Sequence, residues 1–121
     1  VKMSESNKIN KIMQFLEKHI KRVGYIQAIK NLQYGLNIMN RGRQNFPGEN
    51  FIQLDEDGDF GVKTYNCLLS LCKYASLELI FKNIKKAAIT NAIFDTKNDN
   101  RINTEKMVDN INNDLNLTGE Y

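Results

Sequence analysis

The sequence predicts an all-α fold, and three observations support this prediction. Apolar residues recur at helical intervals along most of the 121 residues, the chain has a single proline, and it has no tryptophan. The composition, 41% hydrophobic and 26% charged, is that of a folded globular protein and argues against wholesale disorder. The length suffices for one domain with one core, covering residues 1–121.

The first two predicted helices are amphipathic. Residues 6–22 form the first, which ends at Gly24, and residues 26–40 form the second, which ends at Gly42. The apolar stripe of the first consists of Ile9, Ile12, Met13, Leu16, Ile20 and Val23. Its solvent-facing side carries Lys8, Lys11, Lys18 and Lys21. The buried stripe of the second consists of Ile29, Leu32, Leu36 and Met39.

Residues 40–53 are predicted to be a long connection, because they hold glycines and the only proline among polar residues. Ile52 and Leu54 favour an extended segment or a short strand that leads into the next turn.

A loop over residues 57–64 follows, and it is the most informative stretch of the chain. Asp57-Gly58 is a strong tight-turn signal, because Gly58 adopts positive φ without a Cβ clash. Phe60 is expected to be a buried anchor. Gly61 is expected to allow a second sharp bend, and Thr64 to satisfy free backbone donors at the start of a helix.

Three more helices are predicted after the loop. The third covers residues 64–74, and the fourth begins at Ser76 and continues to Ile93. The apolar face of the fourth consists of Leu77, Ile80, Phe81, Ile84 and Ala88, and its other side carries Lys82, Lys85 and Lys86. The last helix, over 104–115, is expected to dock on the core through Met107, Val108, Ile111 and Leu115.

Two motifs in this order resemble those of bacterial peptidoglycan-binding domains. The family signature Asp-Gly-x-Phe-Gly-Pro-x-Thr is matched by Asp57, Gly58, Phe60, Gly61 and Thr64. Val62 stands where the family usually has proline, a mild departure at a first helical turn. Upstream, residues 28–37 look like the family's Leu-Gln-x-x-Leu-Asn helix. The sequence around the two motifs is most similar to the C-terminal peptidoglycan-binding region of phage-type N-acetylmuramidases (secretion-activator-like proteins). The resemblance covers roughly residues 23–75.

The resemblance implies a three-helix core with two additional C-terminal helices. Residues 23–75 are the peptidoglycan-binding-like core region, and residues 76–121 are a C-terminal helical extension. The resemblance also implies noncatalytic binding of peptidoglycan at the bacterial cell wall, in the periplasm or outside the cell. This binding would target a wall-degrading or remodelling activity to the wall. Contacts with peptidoglycan are expected from polar and aromatic groups beside the loop: Gln33, Tyr34, Asp59, Lys63 and Tyr65. Asp57, Gly58, Phe60, Gly61 and Thr64 are expected to be structural.

One alternative is that the chain is the C-terminal portion of an N-acetylmuramidase. The catalytic region of such enzymes carries its acid in a Glu-Gly-Gly segment, which this sequence does not contain. Glu17 is interpreted as a solvated partner of Lys18 or Lys21, and His19 has no evident partner in either cysteine. No catalytic residue and no cofactor is therefore predicted for this chain.

A further alternative is a helical protein-interaction or calcium-binding module. Asp55, Asp57 and Asp59 occupy the first, third and fifth ligand positions of an EF-hand loop. Phe60 then replaces the required glycine and Asn66 the bidentate glutamate, and a second segment from Asp95 deviates similarly. The interpretation is that these aspartates cap turns, and no metal site is predicted.

Charge and cysteine content exclude little. The net charge of +3 is compatible with an anionic cell wall and with many other partners. Arg41, Arg43 and the lysines near residue 85 do not form a recognisable nucleic-acid motif, so nucleic acid is not a favoured partner. Cys67 and Cys72 point in different directions on one helix and are expected to be buried free thiols. No apolar run is long enough for a membrane span, and no signal-peptide core follows the polar N-terminus.

Overall fold

Four helices make up the described part of the computed structural model, which comprises residues 4–41 and 53–95. They are α1 (Glu5–Val23), α2 (Tyr25–Arg41), α3 (Val62–Tyr74) and α4 (Leu77–Asp95). No strand occurs in these two ranges, so the all-α prediction is confirmed and Leu54 does not belong to a strand. The observed ends lie within two residues of the predicted ones. Gly42, Ile52 and the predicted helix over 104–115 lie outside the described residues.

Short-range capping sets several of the helix ends. The Ser4 hydroxyl accepts a hydrogen bond from the Asn7 N–H at 3.2 Å and caps the start of α1. Gly24 ends α1 as predicted, with φ of 90° and its N–H donating to the Ile20 carbonyl at 2.8 Å. At the start of α4, the Ser76 hydroxyl accepts from the Leu79 N–H at 3.1 Å. These ends are readable from sequence because each cap and its partner are close neighbours along the chain.

Helix α2 lies at the centre of the packing. It packs most extensively against α4, while α1 packs against both α2 and α3. Gly35 permits the close approach of α2 to α4, because a Cβ at this position would lie 3.0 Å from the Ile84 Cα. Side chains from all four helices form one hydrophobic cluster, so α4 contributes to the same core as the helices before it.

The predicted apolar stripes largely coincide with this core. All four stripe residues of α2 and all five of α4 are buried. In α1 the prediction was wrong for Val23, the last residue of the helix, which is 39% exposed. Cys67 and Cys72 are both buried and free, as predicted.

Lys8 departs from the predicted pattern of solvent-facing lysines, since it is only 5% exposed. Its ammonium group donates to the Cys72 and Ala75 carbonyls, at 2.9 Å each. These carbonyls lie at the C-terminal end of α3, where backbone acceptors lack helical partners and the helix dipole favours a cation. Lys8 is therefore a cap supplied by another helix.

A buried polar cluster joins α1, α2 and α4. The Asn31 side-chain oxygen accepts from the Gln27 amide at 3.0 Å and from the Asn91 amide at 2.8 Å. Its nitrogen must therefore donate to His19 Nε2, which lies 2.9 Å away. His19 is 1% exposed and stacks on Phe15, with ring centroids 5.1 Å apart. A partnered histidine of this kind belongs to the core.

None of the four helices combines the length and apolar character that crossing a membrane requires, within the segments of the chain that the structure describes.

Candidate functional site

The loop over 57–64 is held by the side-chain amide of Gln33, which projects from the middle of α2. The Gln33 amide nitrogen lies 3.0 Å from Asp57 Oδ1, 3.0 Å from the Asp59 carbonyl and 3.1 Å from the Thr64 hydroxyl. Its amide oxygen accepts from the Gly58 N–H at 3.0 Å. Gln33 is 1% exposed and both ends of its amide are occupied. The structure thus gives Gln33 a role in organising the loop.

Asn37 has a similar role and lies one helical turn after Gln33 on α2. Its side-chain oxygen accepts from the Leu54 N–H at 2.8 Å, and its nitrogen donates to the Leu54 carbonyl at 2.9 Å. The nitrogen also donates to Glu56 Oε2 at 3.0 Å. Because Gln33 and Asn37 are four residues apart, they project from the same side of α2. The two segments that carry the family resemblance are thus in direct contact.

Inside the loop, Asp57 and Gly58 form the predicted turn. The Asp57 carboxylate accepts from the Asp59 N–H at 2.9 Å, and Gly58 has φ of 79°. The hydrogen bond from the Asp59 backbone, followed by the one from Gln33, lowers the pKa of Asp57 below its usual 3.8. This carboxylate is therefore ionised and engaged in the turn.

The calcium alternative finds no ligand cluster here. Within residues 4–41 and 53–95, no group of three or more histidine, cysteine, aspartate or glutamate side chains could hold a metal ion. Most of the second EF-hand-like segment, from Asp95 onward, lies outside the described residues. The Asp57 contacts agree with the interpretation that this residue caps a turn.

Two expectations for the loop were wrong in detail. Gly61 has φ of −100°, so it makes no strained bend, and a Cβ there would meet no atom within 4 Å. It is instead the N-cap of α3. Thr64 does not satisfy free backbone donors, because α3 begins earlier, at Val62, and no side chain caps its start. Thr64 is buried and its hydroxyl accepts from Gln33, a tertiary contact that local capping rules do not anticipate.

Phe60 is an anchor, although it is only partly buried. Its ring packs against the hydrophobic core, and Tyr65 lies edge-on to it with ring centroids 6.2 Å apart. The Phe60 N–H donates a long hydrogen bond of 3.4 Å to the Tyr25 hydroxyl. The ring is thus less buried than expected, because it also lines an open groove.

This groove separates α1 from the loop and the first turns of α2, and its volume is about 560 Å³. One wall is formed by α1, through Asn10, Met13, Gln14, Leu16, Glu17 and Ile20. The opposite wall is formed by Tyr25, Ile29 and Phe60. The volume is within the usual range of ligand pockets, and the lining combines apolar surface with a few polar groups.

Of the five predicted contact residues, the structure joins Gln33 and Asp59 directly. Gln33 is buried, and Asp59 meets it only through the Asp59 carbonyl. Asp59 and Lys63 are exposed, and Tyr34 is partly buried on α2. Tyr65 is 39% exposed, and its ring contacts that of Phe60. None of the five lines the groove.

Sequence reasoning missed the residues that do line it. Asn10, Gln14 and Glu17 follow one another at helical spacing beside the apolar stripe of α1, a signal that was present in the sequence. Tyr25 directly follows the Gly24 helix end, and its exposure of 48% is evident only from the structure. What the sequence could not show is that the loop brings Phe60 opposite this face of α1.

Comparisons of the chain with protein-family models, curated proteins and solved structures found no match.

Proposed function

We propose that this protein binds bacterial peptidoglycan without cleaving it, through the groove between α1 and the 57–64 loop. Binding would hold a wall-degrading or remodelling activity on its polymeric substrate, where weak affinity for a repeating unit suffices. The observation that carries the proposal is the direct contact between the two motif segments. Gln33 from the Leu-Gln-x-x-Leu-Asn segment bonds the backbone of the loop that contains the Asp-Gly-x-Phe-Gly segment, and Asn37 bonds the backbone of Leu54 just before that loop.

The composition of the groove supports this proposal. Tyr25 and Phe60 offer aromatic surface, while Asn10 and Gln14 offer amide donors and acceptors on the opposite wall. Such a combination suits a glycan-peptide polymer, whose sugar rings have apolar faces and polar edges.

Cosedimentation with isolated sacculi tests the proposal. Wild-type protein should pellet with sacculi without lowering their turbidity. Tyr25→Ala should weaken binding roughly fivefold to thirtyfold, as expected for loss of an aromatic contact worth about 1–2 kcal/mol. Tyr25→Phe keeps the ring and should bind nearly as wild type. Tyr74→Ala is the matched control, because Tyr74 is 42% exposed but does not line the groove.

The other outcomes identify the alternatives. Clearing of the suspension would favour the N-acetylmuramidase alternative. If the protein neither pellets with the sacculi nor clears the suspension, the result contradicts the proposal and favours a helical protein-interaction module. A separate observation favours that module: two apolar side chains at the loop are exposed, Ile26 by 61% and Val62 by 75%, as at protein-interaction surfaces.

A further inference from the structure

Among the described residues that line the groove, Glu17 is the one with a charged side chain. It lies on α1 three residues after Gln14 and seven after Asn10, so the three side chains follow one face of the helix. The facing wall is aromatic and apolar, with Tyr25 and Phe60. The groove therefore has a negative charge set among apolar surface and neutral amides.

This carboxylate has no partner among the residues that the structure describes. The expected ion pair of Glu17 with Lys18 or Lys21 is not formed, and within the described ranges Glu17 makes no hydrogen bond or ion pair. Lys18 and Lys21 are both exposed. The Glu17 charge is therefore available to a ligand in the groove.

The surroundings of Glu17 select the kind of ligand group. A carboxylate group on the ligand would be repelled at this position, whereas a primary ammonium would gain a charge-assisted hydrogen bond. The rings of Tyr25 and Phe60 favour a cation in front of their faces and also cover a methylene chain. The groove is thus suited to an aminoalkyl side chain.

We propose that Glu17 binds the free side-chain amine of an uncrosslinked peptidoglycan stem peptide, with the amine-bearing chain lying along the wall formed by Tyr25 and Phe60. This inference rests on the proposed function, because it specifies which portion of peptidoglycan enters the groove. It implies that the protein prefers wall regions in which the diamino acid of the stem has not been used for crosslinking.

The test compares native sacculi with sacculi whose amines have been N-acetylated. Wild-type protein should bind the acetylated sacculi about tenfold more weakly, which corresponds to roughly 1.4 kcal/mol. Glu17→Gln, which keeps the shape and removes the charge, should bind both preparations equally and at the weaker level. Glu78→Gln is the matched control, since Glu78 is an exposed acid on α4 that does not line the groove. Thermal unfolding of each variant verifies that it is folded.

A competition arm identifies the source of the amine. A synthetic stem peptide with a free side-chain amine should release wild-type protein from sacculi, whereas its N-acetylated form and glucosamine should not. Equal binding of wild-type protein to native and acetylated sacculi would overturn the inference while leaving peptidoglycan binding intact. Release by glucosamine alone would also overturn it. Absence of binding to both preparations would instead contradict the proposed function itself.

Discussion

Replacing Gly58 by alanine should destabilise the protein strongly, for two separate reasons. Gly58 has φ of 79°, a conformation that costs a non-glycine residue about 1–2 kcal/mol. An added Cβ would also lie 2.6 Å from Ile26 Cγ2 and 2.9 Å from the Ile26 carbonyl oxygen. Overpacking of this kind costs about 1–3 kcal/mol. Gly58→Ala should therefore lower the free energy of unfolding by about 2–5 kcal/mol.

Gly61→Ala is the matched control in the same loop. Its φ of −100° is open to every residue, and the added Cβ would meet no atom within 4 Å. Alanine is a poorer N-cap than glycine but also reduces the entropy of the unfolded chain. These effects oppose each other, so the change should stay within about 1 kcal/mol.

Urea unfolding followed by far-ultraviolet circular dichroism measures both variants on a common scale. A third variant separates the two contributions, because Ile26→Ala removes the nearer contact and leaves the carbonyl contact and the positive φ. Ile26 is 61% exposed, so this change alone should cost little. The double variant Ile26→Ala/Gly58→Ala should recover some of the loss. Equal unfolding midpoints for Gly58→Ala and Gly61→Ala would refute this account of the loop.

Three further predictions concern buried and titrating groups. Lys8→Met should lower the free energy of unfolding by about 1–3 kcal/mol in urea titrations, because the Cys72 and Ala75 carbonyls lose their donor; a neutral result would show that water replaces it. The hydrogen bond from the Asp59 N–H lowers the pKa of Asp57 in the folded protein. The stability that this carboxylate contributes is therefore fully present above pH 3.8 and is lost as the pH falls through the folded-state pKa. Asp57→Asn should remove that contribution to the acid sensitivity, and an unchanged acid titration of stability would contradict the assignment. Burial raises the pKa of Cys72 from 9.0 to about 11, so the stability it contributes should be complete below pH 9.0 and decrease as the pH rises towards 11. Thiol modification should accordingly be much slower in folded than in urea-unfolded protein, and equal rates would exclude the burial.

Local patterns made the helices predictable. Ser4, Gly24 and Ser76 act on backbone groups three or four residues away, so a short window of sequence contains both the signal and its partner. The same holds for the Asp57-Gly58 turn, whose carboxylate bonds the N–H two residues on. Apolar periodicity in α2 and α4 identified buried faces for the same reason.

Long-range partners account for what was missed. Lys8 looks like a solvent-facing residue on its own helix, and its acceptors are 64 and 67 residues away in sequence. Thr64 looks like a helix cap, but its hydroxyl meets Gln33 from another helix. The polar face of α1 looks like ordinary surface until Phe60 is placed opposite it. Each of these roles depends on a tertiary contact, for which one sequence carries no periodic signal.

The predicted contact with peptidoglycan at Gln33 and the observed role of Gln33 in the loop have different consequences for binding. A residue that touches the ligand would lower affinity when changed, without altering the fold. Gln33 instead holds the Gly58 N–H and the Thr64 hydroxyl on either side of Phe60 in the chain, and so fixes the loop that forms one wall of the groove. A wall that is ordered before binding reduces the entropy lost on association. Changes at Gln33 should therefore weaken binding in proportion to the loss of loop stability, whereas Glu17→Gln should weaken it at constant stability.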